Sequence, residues 1–244
     1  MTRSAPAPDR PRLLPLGLDG FLMRFSEGFG EAANRAAQAA GELARSLPGV
    51  TEVVPALAST LVRFDPARTP RAPLEAALRD LLASRDWLDL PPAAPTRRWH
   101  VPVSFDAADA PSLAQVAALT ERTETALVQD ILDSATRVLA IGFAPGQPYL
   151  GLLPEVWDFP RQTSLMQVPQ GALVAAIRQL VLFANASPTG WLQIGRTAFR
   201  PFQPEAETPM PLATGDEIRF ARASAAELAA CETTPMGGAR LEIL

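Results

Sequence analysis

The sequence predicts an α+β protein of two domains, an antiparallel sheet with two helices on one face followed by a closed or nearly closed β-barrel. Three observations carry this expectation. Strand and helix patterns run in the order β, β, helix, β, β, helix up to residue 88. Residues 88–96, LDLPPAAPT, hold three prolines in nine residues, which stiffen the chain and disfavour helix on either side. From Arg137 onward, short apolar runs bounded by Gly, Pro or Asn replace the helical periodicity.

Residues 1–12 are rich in Pro and Arg and read as a flexible start. Residues 13–16 and 21–25 read as two strands around the turn Gly17-Leu18-Asp19-Gly20. Residues 31–47 carry Ala33, Ala36, Ala37, Ala40, Leu43 and Leu47 at helical steps, and Gly49 ends that helix. Residues 50–54 and 57–64 are Val- and Thr-rich and flank Pro55, which predicts adjacent strands with a turn or bulge between them. A second helix is expected over 71–84, with Leu74, Leu78, Leu81 and Leu82 on one face. With a further strand near 99–103, this order resembles a ferredoxin-like unit. The domains are then 13–88 and 97–244, joined by a Pro-rich linker at 89–96.

In the second domain, residues 97–105 read as a strand, and 112–119 and 123–133 as helices, with the Ser112 hydroxyl as an acceptable cap. Strands follow at 138–143, 172–177, 180–183, 192–194 and 217–220. Residues 212–220 are the expected closing turn and strand. A last strand at 240–244 is expected, and 225–231 suits a helical turn or two.

Composition excludes several chemistries. All 22 basic residues are Arg, so a Schiff-base lysine, a Walker A lysine and a biotinylated lysine are absent. ATP or biotin, if either enters the reaction, is carried by another chain. One Cys and one His leave no zinc cluster and no disulfide, and no metal site is expected. A net charge of −4 without long like-charge runs marks neither a nucleic-acid nor a membrane surface. No stretch reaches the roughly 20 apolar residues of a membrane span, and a cytoplasmic setting is expected.

Two stretches stand out, residues 141–155 (IGFAPGQPYLGLLPE) and 186–197 (ASPTGWLQIGRT). Each alternates Gly and Pro with aromatics between apolar runs, which predicts shaped loops on a strand scaffold. Together with GLDGFLMRF, PGVTEVVPALASTLVRFDP, VPVSF and ATGDEIRF, in this order and spacing, they resemble the allophanate hydrolase subunit 1 family, which includes the B subunit of 5-oxoprolinase and sporulation kinase inhibitors. The resemblance covers about residues 13–220. It implies a ferredoxin-like domain followed by a cyclophilin-like β-barrel, working with a second carboxyltransferase-like subunit of the allophanate hydrolase subunit 2 type. The implied substrates are small lactams or urea-type amides, with ATP used by the complex and no cofactor held by this chain alone. The alternative is a non-catalytic regulatory or interaction protein of the kinase-inhibitor kind.

Departures from the family pattern bear on that choice. Gln147 stands where the family has a second Phe, Ile131 falls where a His is usual, and Ile177-Arg178 replaces Gly-Gly. The last change predicts a pocket that is reshaped or filled.

Gly142, Phe143, Pro145, Gly146 and Tyr149 are the first candidate wall of a binding site, with backbone N–H groups cradling an oxyanion and the two aromatics excluding water. Ser187, Pro188, Gly190, Trp191, Arg196 and Thr197 are the second, with Arg196 as the anion partner. No catalytic residue is identified; Asp130 and Asp133 are weak candidates to replace the missing His as proton carrier. His100 and Cys231 read as structural.

Overall fold

In the computed structural model, residues 10–234 and 236–244 are described, and the chain divides into two compact units, one up to Ala94 and one from Pro95 to Leu244. Most of the flexible start expected at 1–12 lies outside the described residues. Both units are mixed α/β.

The first unit holds β1 (Arg12–Leu16), β2 (Gly20–Arg24), α1 (Glu31–Ala44), β3 (Val50–Pro55), β4 (Ser59–Phe64) and α2 (Arg71–Ala83). Its sheet is antiparallel in the order β1-β2-β4-β3. Alternation decides the buried face: Phe21, Met23, Thr60, Val62, Phe64, Val53 and Pro55 point inward, while their neighbours in sequence are more exposed. Against that face α1 lays Ala33, Ala36, Ala37, Ala40 and Ala44, and α2 lays Leu74 and Leu78. Small side chains let α1 approach closely, so that the Thr60 hydroxyl donates to the Ala37 carbonyl at 2.5 Å.

Several boundaries differ from the sequence reading. α1 stops at Ala44 and leaves Leu43 41% exposed, because the buried stripe is made of alanines with Asn34 and Gly41. The irregularity in β3 falls between Val50 and Glu52, and Pro55 sits regularly at the strand end. Trp87 is buried with its indole donating to the Leu82 carbonyl at 3.0 Å, and Leu90 also packs on this core, so apolar contact runs past residue 88.

The second unit holds β5 (Arg97–Val103), α3 (Leu113–Thr120), α4 (Glu124–Asp133), β6 (Thr136–Ile141), β7 (Pro148–Gly151), β8 (Met166–Val168), β9 (Ala172–Ala176), β10 (Gln179–Leu182), β11 (Ser187–Thr189), β12 (Leu192–Arg196), β13 (Glu217–Arg222), α5 (Ala225–Cys231) and β14 (Arg240–Ile243). β5 belongs here and not to the first sheet. Eight strands form one sheet, β12-β9-β10-β7-β6-β13-β5-β14, with β5 and β13 parallel and the other pairs antiparallel. β14 covers residues 97–100 of β5, and beyond them Ser104 bridges to Arg196 of β12. That bridge joins the end strand β12 to the continuation of β5, beyond the reach of β14. The strand expected to close a barrel, β13, instead lies between β6 and β5, because its register with β5 takes in all of β13 and residues 98–103 of β5. β8 and β11 pair separately as a two-stranded sheet.

Caps follow local chemistry. Thr123 accepts the Ala126 N–H at 3.2 Å and starts α4, and Ser224 with Glu227 forms a capping box on α5. Ser112 does not cap α3; its hydroxyl turns toward the Met166 sulfur at 3.8 Å. No helix among the described residues is long and apolar enough to cross a membrane.

Candidate functional site

The loop between β6 and β7 is a closed hexapeptide. The Gly142 N–H donates to the Gln147 carbonyl at 3.0 Å, and the Gln147 N–H to the Ala144 carbonyl at 3.1 Å. Gly146 has φ +71, and a Cβ there would run into the Pro201 carbonyl. Glycine is therefore required for packing at this point, and the Gly142 N–H is spent inside the loop rather than free for an oxyanion. Phe143, also in the left-handed region at φ +69, holds its ring 77% exposed.

Tyr149 leaves this loop on β7 and meets Trp191 edge to face, with ring centroids 6.2 Å apart at 75°. Trp191 is set by its own turn: its N–H donates to the Thr189 hydroxyl at 3.1 Å. Gly190 lets the segment before β8 approach, since the Gln162 N–H donates to the Gly190 carbonyl at 2.7 Å and a Cβ on Gly190 would collide with the Gln162 carbonyl. Between these elements lies a cavity of about 220 Å³. Its walls include Phe143, Tyr149, Pro188, Gly190 and Trp191 of the expected site, with Gln147, Thr189 and Arg161 added.

Gln147 is buried, and its amide oxygen accepts the Ala184 N–H at 3.4 Å. Burial raises the Tyr149 phenol above its ordinary range, against the hydrogen bond from Gln147 and the charge of Arg161. The phenol stays protonated at neutral pH and is available as a donor. Arg161 has no carboxylate partner among the described residues, and neither Asp nor Glu lines the cavity. An uncompensated guanidinium beside a phenol, an amide and a threonine hydroxyl suits a small polar ligand that carries an anionic group.

Other candidates lie elsewhere. Arg196 donates to Glu232 at 2.9 Å, approaches Asp109 at 3.9 Å, and with Thr197 lines a separate cavity of about 270 Å³. Pro145 and Gly146 shape the hexapeptide without lining the 220 Å³ cavity, and Ser187 pairs with Val168. Asp130 accepts from the Trp157 indole at 3.1 Å and from Arg122 at 3.3 Å, while exposed Asp133 accepts from Gln129 at 2.8 Å. Both serve α4 and face neither cavity. His100 bonds Glu242 at 2.9 Å on the surface. Ile177 and Arg178 make the β9–β10 turn, with φ +45 and +60, and leave the cavity beside Gln147 open.

Sequence reasoning missed Arg161. It lies in a Pro- and polar-rich connection without periodicity, and only the fold over Gly190 carries it to Tyr149. No cluster of three or more His, Cys, Asp or Glu suited to a metal ion occurs among the described residues.

The fold and a cavity of this kind place the chain in a class of mixed α/β proteins with a small-molecule-sized site. A family model described as carboxyltransferase domain, subdomain C and D, matches residues 11–212, and the chain belongs to that family. It is 32% identical over 176 residues to the B subunit of 5-oxoprolinase from Escherichia coli O157:H7, covering 71% of this chain and 78% of that one. The protein of the same name from Bacillus subtilis (strain 168) is 27% identical over 225 residues, covering 88% and 94%. The crystal structure of TTHA0988 matches with a TM-score of 0.70 at 32% identity, covering 84% of this chain and 40% of that one. This chain thus spans two-fifths of that protein's length.

Proposed function

We propose that this chain is a subunit of a 5-oxoprolinase-type assembly and holds a small lactam acid in the cavity between Tyr149, Trp191 and Arg161. The name shared by its relatives supports the reaction class, and Arg161, which has no carboxylate partner among the described residues, supports the ligand class. The ligand's carboxylate takes the Arg161 fork, while the Gln147 amide and the Tyr149 and Thr189 hydroxyls bond the ring amide. Urea itself lacks the carboxylate that Arg161 would bind, so the lactam acid is preferred over urea. The cavity walls contain no His, Cys, Asp or Glu, so this chain binds and polarises, and a second carboxyltransferase-like subunit supplies proton transfer and any ATP.

The strand order β1-β2-β4-β3 under two helices supports reading 13–88 as a ferredoxin-like domain with its outer strand at the chain start, joined through 89–96 to a cyclophilin-like barrel at 97–244. A cytoplasmic setting is part of the same reading.

Calorimetry with 5-oxoproline tests the site. Binding is expected for the wild type alone or with its partner subunit, a loss of tenfold or more for Arg161→Met, and none for Arg196→Met. Absence of 5-oxoproline binding under both conditions sinks the reading. In the assembled enzyme, 5-oxoproline-dependent ATP turnover should require this chain. The lack of His, Cys, Asp and Glu on the cavity walls favours one rival, a regulatory protein; turnover that is unchanged when the chain is omitted would establish it.

A further inference from the structure

Arg161 also lines a second cavity, of about 530 Å³, which shares Leu165 and Gly190 with the first and adds Thr163 and Ile177. No Asp or Glu lines this one either, so the guanidinium is uncompensated toward both. The rim is apolar and open: Leu165 is 69% exposed and Ile177 40%, while Phe143, on the wall of the first cavity, is 77% exposed. Two of these three are held in the left-handed region that non-glycine residues avoid, Ile177 in spite of its branched Cβ. A fold that spends strain to display large apolar side chains around an unpaired cation presents an interaction surface, since exposed apolar patches rimmed by polar groups mark such sites.

We propose that this outer cavity docks a second protein chain through a segment carrying an acidic side chain flanked by apolar ones. The carboxylate lies on Arg161 and the apolar side chains cover Leu165 and Ile177. Charge complementarity selects the acid, and the exposed rim selects a protein surface over a small ion. The five N–H donors of Arg161 are sufficient for the partner's carboxylate on one edge and the ligand's on the other. This inference rests on the functional reading above only in taking the partner to be the second carboxyltransferase-like chain of the same assembly.

The test is a calorimetric titration of the purified chain with that second chain, using three variants at positions that do not line the inner cavity. Thr163→Glu should weaken association tenfold or more, Thr163→Lys should tighten it, and Ile177→Gly should weaken it tenfold or more while thermal stability holds or rises. Affinity for 5-oxoproline should be the same in all of them. Docking here is overturned if wild type does not bind the second chain, if all three variants bind as wild type does, or if both charges at 163 act in the same direction. Loss of 5-oxoproline binding throughout, with the association shifts intact, would overturn the functional reading and leave the docking surface standing.

Discussion

The backbones of Ser104 and Arg196 exchange two hydrogen bonds, of 2.8 and 3.0 Å, and this bridge joins β12, an end strand of the eight-stranded sheet, to the residue that follows β5, the strand next to the other end. Ser104→Pro removes the N–H that reaches the Arg196 carbonyl and leaves that oxygen unpaired. A loss of about 2–3 kcal/mol is expected, read as a fall in Tm of roughly 4–12 °C by scanning calorimetry. Ser104→Ala keeps the bridge and should stay within about 1 kcal/mol of wild type.

Gly190 carries the contact between two segments that wall the inner cavity. In Gly190→Ala the new Cβ meets the Gln162 carbonyl, which is backbone and cannot swing aside. A cost of about 1–3 kcal/mol is expected. Displacement of Arg161 should also weaken 5-oxoproline binding, measured on the same protein by calorimetry.

Ile177 and Arg178 both have positive φ in the two-residue turn between β9 and β10, a conformation that favours Asn-Gly. The double change Ile177→Asn with Arg178→Gly should stabilise the chain by about 1–2 kcal/mol, through release of backbone strain. A midpoint in urea that falls below wild type would refute it. Loss of the bond from the Arg178 Nε to the Leu153 carbonyl sets the upper limit of the gain.

Adjacent carboxylates on β13 and the turn before it respond to acid in opposite directions. Burial raises Asp216, against the Ala213 N–H, Arg97 and the Trp99 indole, so the folded state holds this proton more tightly than the unfolded chain. Its contribution favours folding at low pH and is lost as pH climbs through the folded value. For Glu217, burial acts upward but is outweighed by bonds from Arg98 and Arg219, and the net shift is downward. That contribution is present above the ordinary glutamate value and lost as pH falls through the folded one. Glu217→Gln should therefore flatten the acid limb of a stability–pH curve between about pH 6 and 3, whereas Asp216→Asn should steepen it. Urea midpoints across that range check both.

Much of the fold was legible because its signals are local. The Ala stripe of α1, the Val- and Thr-rich strands, the proline cluster near residue 90 and the Gly-Pro-aromatic loops each carry a short-range cause. β7, β8 and β11 were not legible as strands: each has only three or four residues, and two of them, β7 and β11, contain a proline inside what reads as a loop. Thr123 acted as a cap, while Ser112, which has the same chemistry, did not, because its hydroxyl turned toward Met166 instead.

The choice between Arg196 and Arg161 shows where local reading ends. Arg196 adjoins the SPTGW motif in sequence, but its charge is met by Glu232, 36 residues further along, at 2.9 Å. Arg161 stands 12 residues from Tyr149 in an unpatterned segment and reaches it only because Gly190 admits the chain at Gln162. By itself the sequence determined the helices and most of the longer strands, the family, and the aromatic side chains that line the cavity. Tertiary structure alone decided which arginine beside the cavity lacks a carboxylate partner among the described residues and how β12 meets the end of β5, since pairing of charges and strand ends depends on contacts between residues far apart in the chain, and no local pattern encodes them.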